Sequence, residues 1–235
     1  GQSGTLGASL VGSQGYFGVS VFDQWSNYGV PGHGHHEEEE EDHDDHDEEE
    51  HEEEGVRIDL DRTRINLEGG LRFQGSGFSS GFENVTLNFA QNDYIHEEIE
   101  EDAVHTTFTN KSYEGRIESD HALGERVSGS IGMSTYSRDF TVVGEEAFVP
   151  ATETKNNAIF LYESVELSDE LGLQVGSRIE QQEVKTVVKS LDDRTFEAFS
   201  NSMGLKWSPL ERFSFVLSGS RSAKLPNAEE LFSNG

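Results

Sequence analysis

The densest group of metal-ligating residues in this sequence lies between residues 32 and 55. Positions 37–54 hold fifteen acids and three histidines, and three more histidines stand just before them. Neutral imidazole nitrogens supported by carboxylates bind divalent transition metals, and without any cysteine the chain offers no thiolate alternative. The candidate ligands are His33, His35, His36, His43, His46 and His51.

Like charges this dense repel one another and bury no apolar surface, so residues 32–55 are expected to form a solvated loop without secondary structure. A bland alternative is a charge run that only repels neighbouring surfaces. Six interspersed histidines favour metal binding over that alternative. The loose spacing selects poorly by geometry, so nickel and copper are expected to bind as well, and the carboxylates also concentrate dications near the loop.

A second candidate site follows in the sequence. It groups His96 with the acids that follow it, Glu97, Glu98, Glu100 and Glu101, and Asp93 is expected to share the face of Glu97. The alternative is an ordinary histidine at the end of a strand, which is the commoner case. His105, across the predicted loop, belongs to the same candidate site. His121, in a predicted tight turn at the opposite rim, is assigned no role.

Composition excludes several classes of protein. The formal net charge of −29 disfavours a nucleic-acid partner. Hydrophobic residues make up 33% and mean hydropathy is −0.63, so an ordinary dry core would be under-supplied. No apolar window is long enough for a transmembrane helix, and residues 1–7 lack the pattern of a signal peptide. Neither a phosphate-binding glycine loop nor a nucleophile elbow is present, so we expect no enzyme.

The elements that must position these residues are strands, because apolar residues recur with a period of two. Leu171, Leu173 and Val175, for example, alternate with small or polar residues. The parity of the apolar positions changes near Arg62 and Thr63, which predicts a β-bulge there. About ten strands are expected, over residues 5–12, 16–24, 56–72, 84–96, 104–119, 126–140, 156–167, 171–182, 194–207 and 213–224.

The predicted connections alternate between tight turns and longer acidic loops, the latter at residues 26–55, 97–103, 142–155 and 183–193. Long antiparallel strands with short turns at one rim and long loops at the other are typical of outer-membrane barrels. Lipid would then cover the apolar face, so the fold would need no dry protein core, and this accounts for the low fraction of hydrophobic residues. The alternative is a soluble β-sandwich, which is disfavoured by the strand lengths.

Residues 218–232, which contain an arginine, a proline and a Glu-Glu-Leu sequence, resemble a motif of TonB-dependent outer-membrane receptors. Residues 27–33, leading into the His-rich loop, and residues 92–98 and 108–114 resemble the zinc-uptake branch of that family. The similarity extends over nearly the whole chain.

This resemblance implies an all-β fold: an antiparallel up-and-down transmembrane β-barrel segment, about ten strands of a barrel of about 22. Residues 1–235 would be part of the barrel wall with 32–55 as an extracellular loop, the plug domain being absent. The implied function is uptake of zinc as transported ligand, in the bacterial outer membrane. Implied partners are outer-membrane lipid, the metal ion and, through regions not in this chain, the TonB energy-coupling complex. A non-transporting metal-buffering β protein and a receptor for a metal chelate remain alternatives.

Overall fold

The computed structural model describes residues 1–30, 55–73, 81–145, 147–188, 191–210 and 212–232. These residues form ten strands and one short helix, which confirms the all-β class and the strand count. Most strands run longer than the sequence pattern indicates. The elements are β1 (Gln2–Val11), β2 (Gly15–Gly29), β3 (Arg57–Arg72), β4 (Phe82–Glu100), β5 (Ala103–Leu123), β6 (Val127–Gly144), β7 (Thr152–Glu166), β8 (Leu171–Thr186), β9 (Arg194–Leu210), β10 (Phe213–Arg221) and α1 (Ala228–Phe232).

The ten strands form a single sheet in sequence order, and each pairs antiparallel with the next. This up-and-down order places odd-numbered connections at one rim and even-numbered ones at the other. Tight turns such as residues 12–14 and 124–126 mark the first, which we call the short-turn rim. The opposite rim, with the 30–56 and 145–151 connections, is called the long-loop rim. Among the described residues no helix is long and apolar enough to cross a bilayer.

One connection at the long-loop rim is shorter than expected. The predicted loop at residues 97–103 is wrong, because β4 and β5 continue pairing until only Glu101 and Asp102 remain between them. Both residues have positive φ, 48° and 60°, as a two-residue turn of the type favoured by twisted hairpins requires. The acidic residues of this region therefore stand on a paired hairpin.

Successive residues of a strand point to opposite faces, and the register carries this parity across the sheet. Arg64 pairs with Asn92, which pairs with Ser112, which pairs with Arg138, so even-numbered residues share one face from β2 to β9. We call this the inner face, because α1 packs on it. Odd-numbered residues form the outer face.

The outer face changes character along the strands. Toward the short-turn rim it carries an apolar belt that is largely exposed. The belt includes Phe17, Val19, Ile65, Leu67, Leu87, Ile117, Ile131, Met133, Ile159, Leu161, Val175, Ile179, Phe199 and Met203. Toward the long-loop rim the same face becomes charged, with Asp23, Asp93, Lys111, Asp139, Glu153 and Lys185.

The inner face shows the reverse order. It is polar at the height of the belt, and apolar near the long-loop rim, where Ile58 and Val184 are buried. This exchange explains the parity change near Arg62 and Thr63. The bulge predicted there is wrong, since β3 pairs in continuous register with both neighbours. The apolar residues switch parity because the two faces exchange environments. Register shifts occur instead at Phe82/Asn84, Glu98/Ile99 and Phe213/Phe215.

Candidate functional site

The histidine-rich segment is anchored at the long-loop rim. The Val30 N–H donates to the Val56 carbonyl oxygen at 2.8 Å, so the two ends of the connection between β2 and β3 lie side by side. The strand β4, which pairs with β3, carries the second candidate site. The six histidines of the first candidate site, His33, His35, His36, His43, His46 and His51, lie outside the described residues.

His96 lies on the inner face near the long-loop rim, with its ring held on two sides. Its imidazole stacks on the Phe108 ring, with centroids 4.2 Å apart and 19° between the planes. The Tyr94 hydroxyl is 2.8 Å from Nδ1. In the tautomer in which Nδ1 carries the hydrogen, Nδ1–H donates a hydrogen bond to the tyrosine oxygen, and Nε2 has a lone pair for a metal ion. Nε2 lies 3.9 Å from Glu98 Oε1, so a carboxylate stands beside the potential ligand atom.

The surroundings of His96 also set its charge. The side chain is 19% exposed and lies beyond Gln91 and Asp93, where the apolar belt of β4 ends. Burial lowers the pKa of this imidazole below its ordinary value of 6.5. The ring is therefore neutral near pH 7, which is the state that coordinates metal.

Asp93 and Glu97 share a face, as predicted, but it is the outer one. Asp93 pairs with Thr63 and Lys111, while Glu97 pairs with Asp59 and Thr107. Because His96 occupies the opposite face of the same strand, the sheet separates it from both carboxylates. Within the described ranges no group of three or more His, Asp or Glu side chains is placed to hold a metal ion.

Two of the neighbours of His96, Tyr94 and Phe108, were missed from the sequence, whereas Glu98 was expected beside it. Tyr94 and Glu98 stand two positions before and after it, and Phe108 faces it across the β4–β5 ladder. Alternation along one strand could have identified Tyr94. Phe108 required the register of the hairpin, which the assumed loop at 97–103 concealed.

His105 forms a separate cluster near the β4–β5 turn. Its Nδ1 lies 3.5 Å from Glu145 Oε2 and 4.0 Å from Glu100 Oε2. The Glu145 side chain is 80% exposed, so this contact is open to solvent. His121 lies near the short-turn rim, where it is buried and its Nε2 is 3.0 Å from Glu163 Oε1. It has a structural partner far from His96.

Residues 222–232, which we call the strap, leave β10 and cross the inner face near the long-loop rim. Ala223 N–H donates to Ser200 Oγ on β9 at 3.1 Å, and Gln182 Nε2 on β8 donates to the Pro226 carbonyl at 2.6 Å. Further across, Arg138 on β6 pairs with Glu229 through Nη1 and Oε1 at 2.8 Å. The family-like motif of residues 218–232 thus spans four strands.

The strap ends in α1, which packs on the apolar part of the inner face. Asn227 caps the helix: its side-chain oxygen accepts from the Glu230 N–H at 2.7 Å, and Glu230 Oε2 accepts from the Asn227 N–H at 2.9 Å. Ala228 and Phe232 are buried there. The surrounding cluster comprises Phe140, Val142, Val149 and Val184, with Phe108 and Leu231 packed against it.

At the height of the apolar belt the inner face is lined by paired charges. Arg116 Nη2 lies 2.6 Å from Glu118 Oε2, and its guanidinium stands 4.1 Å from the Phe160 ring centroid. Arg64 pairs with Glu114 at 2.6 Å. Such a lining suits a wet lumen, because each charge keeps both a partner and access to water.

Strands that are apolar outside, polar inside and joined by short turns at one rim define the wall of a transmembrane β-barrel, here an open segment of a larger barrel. The chain belongs to the TonB dependent receptor-like β-barrel family, whose sequence profile matches residues 3–235. Barrels of this family lie in the bacterial outer membrane, and its members are transporters rather than enzymes.

Solved structures share this fold at low sequence identity. The FrpB iron transporter from Neisseria meningitidis (F5-1 variant) is 12% identical with a TM-score of 0.67, over 95% of this chain and 37% of its own. The alcaligin outer-membrane receptor FauA from Bordetella pertussis is 16% identical with a TM-score of 0.61, over 92% and 34%. The copper transporter OprC is 10% identical with a TM-score of 0.63, over 96% and 36%. The chain therefore spans about a third of the length of these proteins.

Proposed function

We propose that this chain is part of an outer-membrane receptor that takes up a metal ion, and that the ion is zinc. The observation that carries the proposal is the placement of six histidines and fifteen carboxylates in one connection of the long-loop rim, beside the strand that bears His96. In outer-membrane barrels the longer loops face the outside of the cell. The His-rich segment would then meet the ion first.

Capture is the role proposed for residues 32–55. Their carboxylates attract dications over roughly a Debye length, about 8 Å at physiological salt. Imidazoles then supply the coordinating nitrogens, which distinguish a transition metal from the calcium and magnesium of the medium. Many equivalent ligands close together let a bound ion move from one to the next instead of being held tightly at one site. A segment that passes its ion onward requires this.

Transfer toward the lumen is the role proposed for His96. Its inner-face position, its neutral imidazole and the nearby Glu98 carboxylate suit a ligand for an ion moving inward. Asp93 and Glu97 remain proposed contributors, but from the outer face of the hairpin they would attract ions rather than share a coordination sphere with His96. Coupling to the TonB complex and closure by a plug would be supplied by regions outside this chain.

A receptor for a metal chelate is the second candidate, and the names of two fold neighbours favour it: the alcaligin receptor and the ferric preacinetobactin receptor from Acinetobacter baumannii. A chelate shields its metal from protein imidazoles. The two candidates therefore differ in whether the loop histidines matter.

Zinc uptake by cells producing the complete receptor tests the proposal. One variant replaces all six loop histidines with Asn, and a second is His96→Asn. We expect the loop variant to take up zinc slowly when zinc is scarce and nearly normally when it is abundant, because capture limits flux only when ions are rare. His96→Asn should reduce uptake at every concentration.

His105→Asn is the matched control, since His105 also stands at the long-loop rim but outside the stack on Phe108. It should behave as the parent. A loop variant that fails at all zinc concentrations would contradict the capture role. Normal uptake by both the loop variant and His96→Asn would refute uptake of the free ion and favour the chelate.

A further inference from the structure

Two parts of the inner face meet at Phe108. One side of its ring stacks on the His96 imidazole at 4.2 Å. The side chain also packs against the cluster that holds Ala228 and Phe232 of the strap. A displacement of the strap would therefore open the apolar cluster against which Phe108 packs.

The strap is docked with incomplete polar pairing. Although Arg138 and Glu229 form an ion pair, the buried Arg138 Nε and Glu229 Oε2 atoms have no hydrogen-bond partner. Buried polar atoms left unpaired cost free energy. Docking is thus opposed as well as favoured, and a modest interaction can shift its equilibrium.

A metal ion on His96 would provide such an interaction. Coordination through Nε2 places positive charge on an imidazole that lies parallel to the Phe108 ring. A cation over an aromatic face is attracted by the negative charge of that face. The stack is therefore tighter with metal than without it, and this difference is what any ligand-driven shift requires.

We propose that Phe108 is a positioning residue that couples His96 to the strap: the docked strap holds Phe108 under the imidazole, and metal on the imidazole favours the docked strap. This inference rests on the proposed ligand role of His96. By reciprocity, the factor by which zinc stabilises docking equals the factor by which docking raises zinc affinity.

The test uses the complete receptor in detergent, with the six loop histidines replaced by Asn so that zinc binding at the rim is measured alone. Zinc chloride is titrated calorimetrically, and hydrogen exchange of the strap is followed with and without zinc. In this parent we expect zinc to slow strap exchange about tenfold. Phe108→Leu keeps an apolar side chain but removes the aromatic face, so it should lose that protection and bind zinc about tenfold more weakly.

Phe108→Tyr keeps the ring and should retain both effects, which separates stacking from folding defects. Phe160→Leu is the matched control, because Phe160 is an inner-face phenylalanine that contacts Arg116 instead of a histidine. It should bind zinc and protect the strap as the parent does.

His96→Asn separates failure of this inference from failure of the proposed function. Loss of zinc binding in His96→Asn, with parental affinity and strap protection in Phe108→Leu, would overturn the coupling alone. Unchanged zinc binding and unchanged strap protection in His96→Asn would overturn both the ligand role and the coupling. Loss of binding in His96→Asn together with weak binding and an unprotected strap in Phe108→Leu supports both.

Discussion

The substitution Glu229→Gln tests what holds the strap to the barrel wall. The Glu229 carboxylate lies 2.8 Å from Arg138, and the two side chains are 28% and 19% exposed. Glutamine preserves the shape and a carbonyl acceptor but removes the negative charge opposite the guanidinium. Arg138 keeps its stack on Phe140, 4.3 Å from the ring centroid, which limits the damage.

The size of the effect follows from that geometry. A hydrogen bond to a charged partner contributes about 1.5–3 kcal/mol, and residual solvent exposure weakens it. We therefore expect docking of the strap to weaken by about 1–2 kcal/mol. Since about 1.4 kcal/mol corresponds to a factor of ten, the undocked fraction should rise by about 5-fold to 30-fold.

Hydrogen exchange of the strap in the complete receptor measures this fraction. The Ala223 and Leu231 amides, which donate to Ser200 and Asn227, should exchange faster by the same factor. Glu118→Gln is a matched control, because it alters another inner-face Glu–Arg pair at a distance from the strap. It should leave strap exchange unchanged. Parental exchange in Glu229→Gln, or equal acceleration in both variants, would refute the assignment of the ion pair as the anchor.

Three further outcomes are expected. In Gly129→Ala the new methyl group would clash with the Tyr162 carbonyl oxygen and lie 2.8 Å from Glu163 Oε2. The substitution should therefore separate His121 from Glu163 and lower the unfolding temperature of the barrel, measured by a gel-shift assay. An unchanged unfolding temperature would contradict the close packing at Gly129. Because burial lowers the pKa of His96 below its ordinary value, protons compete less with zinc at this imidazole, and acidification should release zinc from a peptide of residues 28–56 at higher pH than from the rim of the loop-variant receptor; release at one common pH would contradict this order. Copper should displace zinc from the same peptide in a competition titration, as the intrinsic order of divalent affinities requires, and failure to compete would contradict the expectation that this loosely spaced segment selects poorly by geometry.

The architecture could be predicted from the sequence because alternation is a local signal. Residues such as Leu171, Leu173 and Val175 mark one face directly, and the number and order of strands follow from counting such runs and the turns between them. The two errors, the bulge near Arg62 and Thr63 and the loop at residues 97–103, arose where the surroundings of a strand change while its backbone continues as a strand. Near Arg62 and Thr63 the apolar residues pass from the outer face to the inner one, and a purely sequential pattern cannot distinguish that from a bulge.

The candidate site was less accessible to sequence analysis. His96 could be selected from the sequence because a histidine beside a run of acids is a candidate metal ligand. Residues an odd number of positions apart in a strand point to opposite faces of the sheet, so Glu97 and Asp93 do not lie on the face of His96. Phe108 meets His96 through cross-strand register, and the strap meets the cluster beside Phe108 because the chain crosses the inner face after β10. Those contacts depend on tertiary packing, for which no local pattern exists.

The interleaving of polar and apolar residues in these strands also bears on how such a chain reaches its membrane. Insertion machinery retains a segment when about twenty consecutive residues are apolar, and here the lipid-facing side chains are separated by polar ones and occupy only part of each strand. Such a strand has too few consecutive apolar residues to be retained in a bilayer as a transmembrane helix. In the described strands, pairing is what sorts the side chains onto an apolar and a polar face, so the lipid-facing surface exists only once the sheet has formed.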